Sequence, residues 1–264
     1  MRLVTIIAFG CLLLSTAPIH AQSPDQALND FRAQVLKQRL ILQNFSADPI
    51  TNFQWTANGL ASAPPKVRTL GVFTLNSAKL QGNMFLLMGD RSTLFKDKTG
   101  KWTLLGNTPI TIKIALNGAD PAQVLPGLKQ QLFFPTVTAA LAAIPPSYQR
   151  LLSVTAPPPS QLPLPPPPEC PAAGAKYLRP EVIHQEEPYF SDEAKQARFS
   201  GSVTIVFTVD VTGHTTDLWL AQPAGLGLDN NAAKAVSDYI FKPATCNGAT
   251  VATPVIVAIG FKIG

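Results

Sequence analysis

The chain has 264 residues, 46% of them apolar, with 21 Lys and Arg against 16 Asp and Glu and a formal net charge of +5. The basic residues are scattered and never form a Lys/Arg block, which argues against a nucleic-acid partner. Of the three cysteines, no two show the C-x-x-C spacing of thiol redox motifs.

Residues 1–21 carry a targeting pattern. Arg2 supplies a short basic start, Leu3 to Ala17 is apolar, Pro18 breaks the run, and Ala21 is a small residue at the expected cleavage position. A secretory signal peptide is expected. The alternative is an uncleaved inner-membrane anchor, although spanning needs about 20 apolar residues and this run is shorter. Cleavage would leave a chain that begins at Gln22, outside the cytoplasm. Arg2 and Cys11 would leave with the signal, so the remainder keeps a net charge of about +4 and two cysteines, Cys170 and Cys246. An even pair in an exported protein predicts a disulfide, worth about 4 kcal/mol in the chain-entropy account.

The segment from 22 to 155 predicts a β-rich domain with helices at both ends. Ser23-Pro24-Asp25-Gln26 combines a cap residue, proline at the first helical position and Gln at the capping-box position, and Leu28, Phe31 and Val35 share a face. A helix is expected from Ser23 to about Arg39. Strand-like runs follow at Leu40–Phe45, Lys66–Leu75, Asn83–Met88 and Ile110–Leu116, punctuated by Asn58-Gly59, Gln81-Gly82 and Thr99-Gly100. The last run puts Ile110, Ile112, Ile114 and Leu116 on one face. From Ala119 to Val154 the pattern is helical, interrupted by Pro126, Pro135, Pro145 and Pro146. No motif here names a function.

Residues 156–174 open with APPPSQLPLPPPPECP, a density of proline that favours polyproline II. At about 3.1 Å per residue it predicts a stiff spacer on the order of 50 Å long. From 175 to 264 the pattern is that of a small α+β domain. Ser191 caps a short helix with Asp192 and Glu193 in its first turn. Ser202–Asp210 alternates with Val203, Ile205, Phe207 and Val209 on one face and polar residues on the other, Val206 being the one apolar exception. Val211-Thr212-Gly213-His214 reads as a turn, Thr215–Ala221 as a second strand, and Asp229 as the cap of a helix carrying Ala232, Val236, Tyr239 and Ile240 on one stripe. Thr253–Ile263 is the final strand, with Val255, Val257, Ile259, Phe261 and Ile263 on its buried face. The order helix, strand, strand, helix, strand predicts a three-stranded antiparallel sheet with two helices on one face.

The stretches PYFSDEA, GSVTIVFTVDVTGHTTDLWL, LGLDNNAAKAVSDYIFKPA and TPVIVAIGFKI, in that order, resemble the C-terminal domain of TonB-family energy transducers. The N-terminal stretches QNFSADPITNFQW and GKWTLLGNTPITIKI resemble a domain attached to TonB-like C-terminal domains in some environmental bacteria. The first resemblance implies a periplasmic protein whose last strand pairs with a short extended segment, the TonB box, of an outer-membrane TonB-dependent receptor. Strand addition uses main-chain groups and asks for few particular side chains. The implied partner-binding residues are Tyr189 and, on the last strand, Thr253, Val255, Ile256, Val257, Ala258, Ile259, Gly260 and Phe261. The family's Tyr-Pro motif maps to Tyr189 and Phe190, with Phe190 in place of the proline. Inner-membrane motor proteins are implied as partners if residues 1–21 are retained.

Departures from the family pattern support a second reading. A cleavable signal stands where transducers keep a membrane helix, the Pro-rich spacer is short, and a folded domain sits where the spacer would be. The alternative is an exported structural or adaptor protein that uses the same domain without energy coupling. Enzymatic activity and cofactors are not expected. Asp97-Lys98-Thr99-Gly100 matches the phosphorylated-aspartate motif of cation-pumping ATPases but reads as a hairpin turn between Phe95 and Trp102. His184 and His214 have no zinc-site spacing, and no nucleophile elbow or phosphate-cradling loop is present.

Overall fold

The computed structural model describes residues 22–97, 99–145, 148–149, 170 and 174–262. The expected signal peptide, residues 156–169 of the Pro-rich segment, and Ile263 lie outside them.

Helix α1 (Pro24–Val35) starts at Ser23, whose hydroxyl accepts the Gln26 N–H, and buries Ala27, Leu28, Phe31 and Val35. The chain continues through β1 (Arg39–Leu42), β2 (Ile50–Thr56), β3 (Gly59–Ser62), β4 (Val67–Thr69), β5 (Gly71–Gln81), β6 (Met84–Lys96), β7 (Trp102–Ala115), α2 (Pro121–Leu132), β8 (Phe133–Phe134) and α3 (Val137–Ala143). Seven of these strands form one sheet in the order β3-β2-β7-β6-β5-β1-β8. β2 lies parallel to β7; the other neighbours are antiparallel. The alternation Ile110, Ile112, Ile114, Leu116 points into a core closed by α1 and α2, where Phe31 and Phe85 meet edge to face at 5.2 Å.

Several details differ from the pattern reading. β2 and β3 are additional strands flanking the Asn58-Gly59 turn. Pro126 sits inside α2 without ending it. The run Lys66–Leu75 is divided at Leu70, and its two halves join different sheets: β5 stays in the N-terminal sheet and β4 leaves it.

The C-terminal part comprises β9 (Tyr177–Leu178), β10 (Glu181–His184), α4 (Asp192–Gln196), β11 (Gly201–Val209), β12 (Thr215–Gln222), α5 (Leu228–Ser237), β13 (Ile240–Lys242), β14 (Ala244–Cys246), β15 (Ala249–Val251) and β16 (Thr253–Phe261). β16, β11 and β12 form the expected three-stranded antiparallel sheet. One face of it holds Val203, Ile205, Phe207 and Val209 against α4 and α5 through Ala194, Leu228, Ala232 and Val236. Residues 177–184 run antiparallel to β13 and β14 as a small separate ribbon.

The second face of this sheet is covered by the N-terminal domain. Val206, Trp219, Ala221 and Ile256 pack with Phe45, Val72, Ile144 and Tyr148 in a shared apolar cluster. Phe45 and Tyr148 lie 5.2 and 5.9 Å from the Trp219 ring. β4 adds to the sheet as a fourth strand, parallel to β12, with Leu218, Trp219 and Leu220 opposite Val67, Arg68 and Thr69. The apolar exception Val206 thus faces a partner domain. The two domains touch directly through this cluster.

Two helix expectations are also corrected. Asp229 does not cap α5: Gly227 stands at the cap position in the left-handed region (φ 74°), and the Asp229 carboxylate turns back to accept the N–H groups of Ala224 and Gly225. The stripe Ala232, Val236, Tyr239, Ile240 is cut at Ser237. Tyr239 is buried beyond the helix and Ile240 belongs to β13, opposite His184. Cys170 and Cys246 are joined by a disulfide, with Cα atoms 5.7 Å apart and both residues buried.

Candidate functional site

The residues named on the last strand lie together on β16. Nine consecutive residues, Thr253 to Phe261, pair with β11 from Val209 back to Gly201. No described strand lies on the other side of β16, so its remaining main-chain N–H and C=O groups form an open edge. At the opposite end of the sheet, the corresponding groups of β12 are taken up by β4.

Side chains alternate across β16 as period two demands. Ile259 and Phe261 are buried on the helical face, and Val255 and Val257 are half-buried against the same cluster. Ile256 is buried on the other face, against the N-terminal domain. Thr253 is buried and takes a hydrogen bond from the Tyr177 hydroxyl at 3.4 Å. Ala258 is half-buried and Gly260 exposed, and a Cβ built on Gly260 would meet nothing within 4 Å. On the face that carries Ala258 and Gly260, this end of the strand is flat, with a methyl group and a hydrogen as its only side chains.

Tyr189 is 59% exposed. Its hydroxyl donates to the Asp192 carboxylate at 3.0 Å, and the Lys195 ammonium lies 4.9 Å from its ring centre. The neighbouring Phe190 takes the inward role, its ring 5.7 Å from that of Phe261. The exposed tyrosine therefore stands at the C-terminal end of the open edge. Ser191 caps α4 as expected and also donates to the Leu226 carbonyl, tying the two helices together.

The surrounding turns consume their polar groups. The Asp210 carboxylate accepts from the Thr212 hydroxyl and from the N–H groups of Thr212 and His214, and the hydroxyl bond is the main reason its pKa is lowered. Asp97 does the same with Thr99 and Lys101, again with a lowered pKa led by the Thr99 hydroxyl. Its carboxylate is engaged in a hairpin turn. At the domain interface, burial raises the pKa of Tyr148, whose hydroxyl meets that of Thr208. Among the described residues no group of three or more His, Cys, Asp and Glu is placed to hold a metal ion, and no helix is long and apolar enough to cross a membrane.

The inter-domain surface was not named from the sequence. Val206 was its one visible signal, since an apolar residue on the polar face of a strand implies cover on that face. Nothing local identified Trp219, Tyr148 or β4 as that cover.

Residues 186–263 match the family described as "Gram-negative bacterial TonB protein C-terminal". No curated protein matches the chain. Among solved structures, the C-terminal domain of TonB from Pseudomonas aeruginosa, determined in solution by NMR, is similar at 21% identity. That match covers 32% of this chain and 86% of that one, with a TM-score of 0.28. The C-terminal part of this chain, residues 186–263, is thus a domain of the TonB C-terminal type.

Proposed function

We propose that the protein works in the periplasm and binds an extended segment of an outer-membrane receptor by adding it as a strand to β16. The observation that carries this reading is the asymmetry of the four-stranded sheet. β4 pairs with β12 at Leu218 to Leu220, while no described strand pairs with the outer side of the nine residues of β16. A strand added there meets main-chain groups along its length and the flat surface at Ala258 and Gly260, so sequence demands on it are few. The Cys170–Cys246 disulfide is consistent with an oxidising compartment.

A second reading, an adaptor without energy coupling, is favoured by the direct packing of the N-terminal domain on the C-terminal sheet. A receptor-bound segment would then be held against a two-domain body.

Strand addition is tested by photo-crosslinking in cells from Ala258 on β16, with Thr216 on the other end of the sheet as control. Adducts to outer-membrane proteins from Ala258, absent from Thr216, are expected. Val257→Pro removes a main-chain donor and should abolish them. Unchanged adducts from a folded Val257→Pro variant would falsify strand addition. The mass of the protein in the inner-membrane and soluble envelope fractions separates the two readings: retention of residues 1–21 supports coupling, and a start at Gln22 supports the adaptor.

A further inference from the structure

The two domains also enclose a cleft of about 540 Å³, well within the range of small-ligand sites. Its N-terminal wall is made by a β-bulge. Between the pairs Arg91–Thr108 and Thr93–Leu105, one residue of β6 faces two of β7, with Gly106 at φ 85° and the Ser92 hydroxyl donating to the Gly106 carbonyl. Bulges of this kind re-aim side chains and concentrate beside sites. Here the bulge places Arg91, only 3% exposed, at the floor of the cleft.

Arg91 is poorly satisfied for a buried cation. One terminal nitrogen donates to the Ala47 carbonyl, and among the described residues Nε has no hydrogen-bond partner and no carboxylate lies within ion-pair distance. Asp48 and Asp229 attract it from farther away, while burial lowers its pKa. A buried guanidinium left in this state is costly unless a further acceptor completes it.

The C-terminal wall is the loop Ala224–Gly227, with three successive residues, Gly225, Leu226 and Gly227, at positive φ. Asp229 is fixed beneath that loop, and Glu193 of α4 stands at the exposed rim. Leu105 and Leu226, 40% and 41% exposed, also line the cleft. A simple anion entering here would meet the two carboxylates, and a simple cation would meet the guanidinium. A molecule with both charges and an apolar body complements both walls.

We propose that this cleft binds a small zwitterion, a free amino acid or short peptide, with its carboxylate on Arg91 and its ammonium toward Asp229 and Glu193. Carboxylates favour the fork geometry of arginine, and the apolar side chain would rest on Leu105 and Leu226. The site is separate from the β16 edge and does not depend on strand addition there.

The test is an amide NMR titration of the chain from Gln22 onward with the dipeptide Leu-Leu. The control is N-acetyl-Leu-Leu-amide, which lacks both charges. Saturable shifts centred on Gly106, Gly225 and Gly227 with the free dipeptide alone are expected. No shifts at millimolar dipeptide, or equal shifts from the blocked form, would overturn the proposal. Arg91→Lys should weaken binding about tenfold, because a lysine keeps the charge and loses the fork. Since Arg91 is buried and its replacement can unfold the chain, Glu193→Gln at the exposed rim provides an independent arm. It should weaken binding about threefold with an unchanged melting temperature. Undiminished affinity in Glu193→Gln would overturn the assignment of the ammonium group.

Discussion

Gly213 shows how much of the C-terminal domain hangs on single backbone positions. It turns the chain between β11 and β12 at φ 90°, where side chains are strained, and its carbonyl accepts the N–H of Phe241. A Cβ there would lie 2.0 Å from the Phe241 carbonyl oxygen, a backbone atom that cannot swing aside. Gly213→Ala should therefore destabilise the fold by about 2 kcal/mol or more, read as a lowered midpoint in urea unfolding. An unchanged midpoint would mean that the ribbon of β13 moves freely. This turn was legible in the sequence, because Val-Thr-Gly-His separates two alternating runs. So were the Ser191 cap and the inward face of β11, since each rests on spacing within a few residues. Asp229 was misread for an equally local reason: an acid near a helix start resembles a cap, and only the left-handed geometry at Gly227 shows that it reaches backward instead. Arg91 gave no signal, since the bulge that aims it depends on register across two strands.

At the level of elements, β11, β12 and β16 are legible in the sequence in their order, whereas the short strands β9, β10, β13, β14 and β15 and the strand β4 that joins the sheet are not. Local alternation says which side of a strand is buried but not which strand lies beside it. Lys66–Leu75 reads as one run, and its division at Leu70 is imposed by tertiary pairing. β4 is held by three residues of parallel ladder and by the Arg68–Asp217 ion pair, with the Arg68 guanidinium 5.9 Å from the Trp219 ring. Partly exposed, that ion pair contributes little by itself, about 1 kcal/mol or less. The apolar cluster around Trp219 carries most of the attachment. Removal of the N-terminal domain would expose Val206, Trp219, Ala221 and Ile256 together with the edge of β12. Residues 174–264 alone should then self-associate, measured as a concentration-dependent mass in light scattering, because an uncovered apolar face beside an open edge recruits a second copy. A monodisperse monomer at all concentrations would show that this surface tolerates water.

For the molecule as a whole, the disulfide and the domain interface act on the same segment from two directions. Cys170 precedes the C-terminal domain and Cys246 follows its second helix, a separation of 76 residues. Cys170→Ser should lower stability by about 4 kcal/mol, the loop-closure value for this separation, measured as a shift in denaturant midpoint under oxidising conditions. A loss below about 1 kcal/mol would show that the N-terminal domain already restrains the unfolded ensemble.

The parallel pairing of β4 with β12 has a kinetic side. Arg68 and Asp217 are 149 residues apart, so the C-terminal sheet is completed by a strand made long before the strands it joins. One side of Val67 to Thr69 is bonded to Phe45 and Ala47, and a chain that emerges amino end first must hold the other side open until β12 arrives. Contacts of such long separation slow folding and prolong exposure of sticky surface. The sheet that offers one free edge at the end of folding passes through an interval with two.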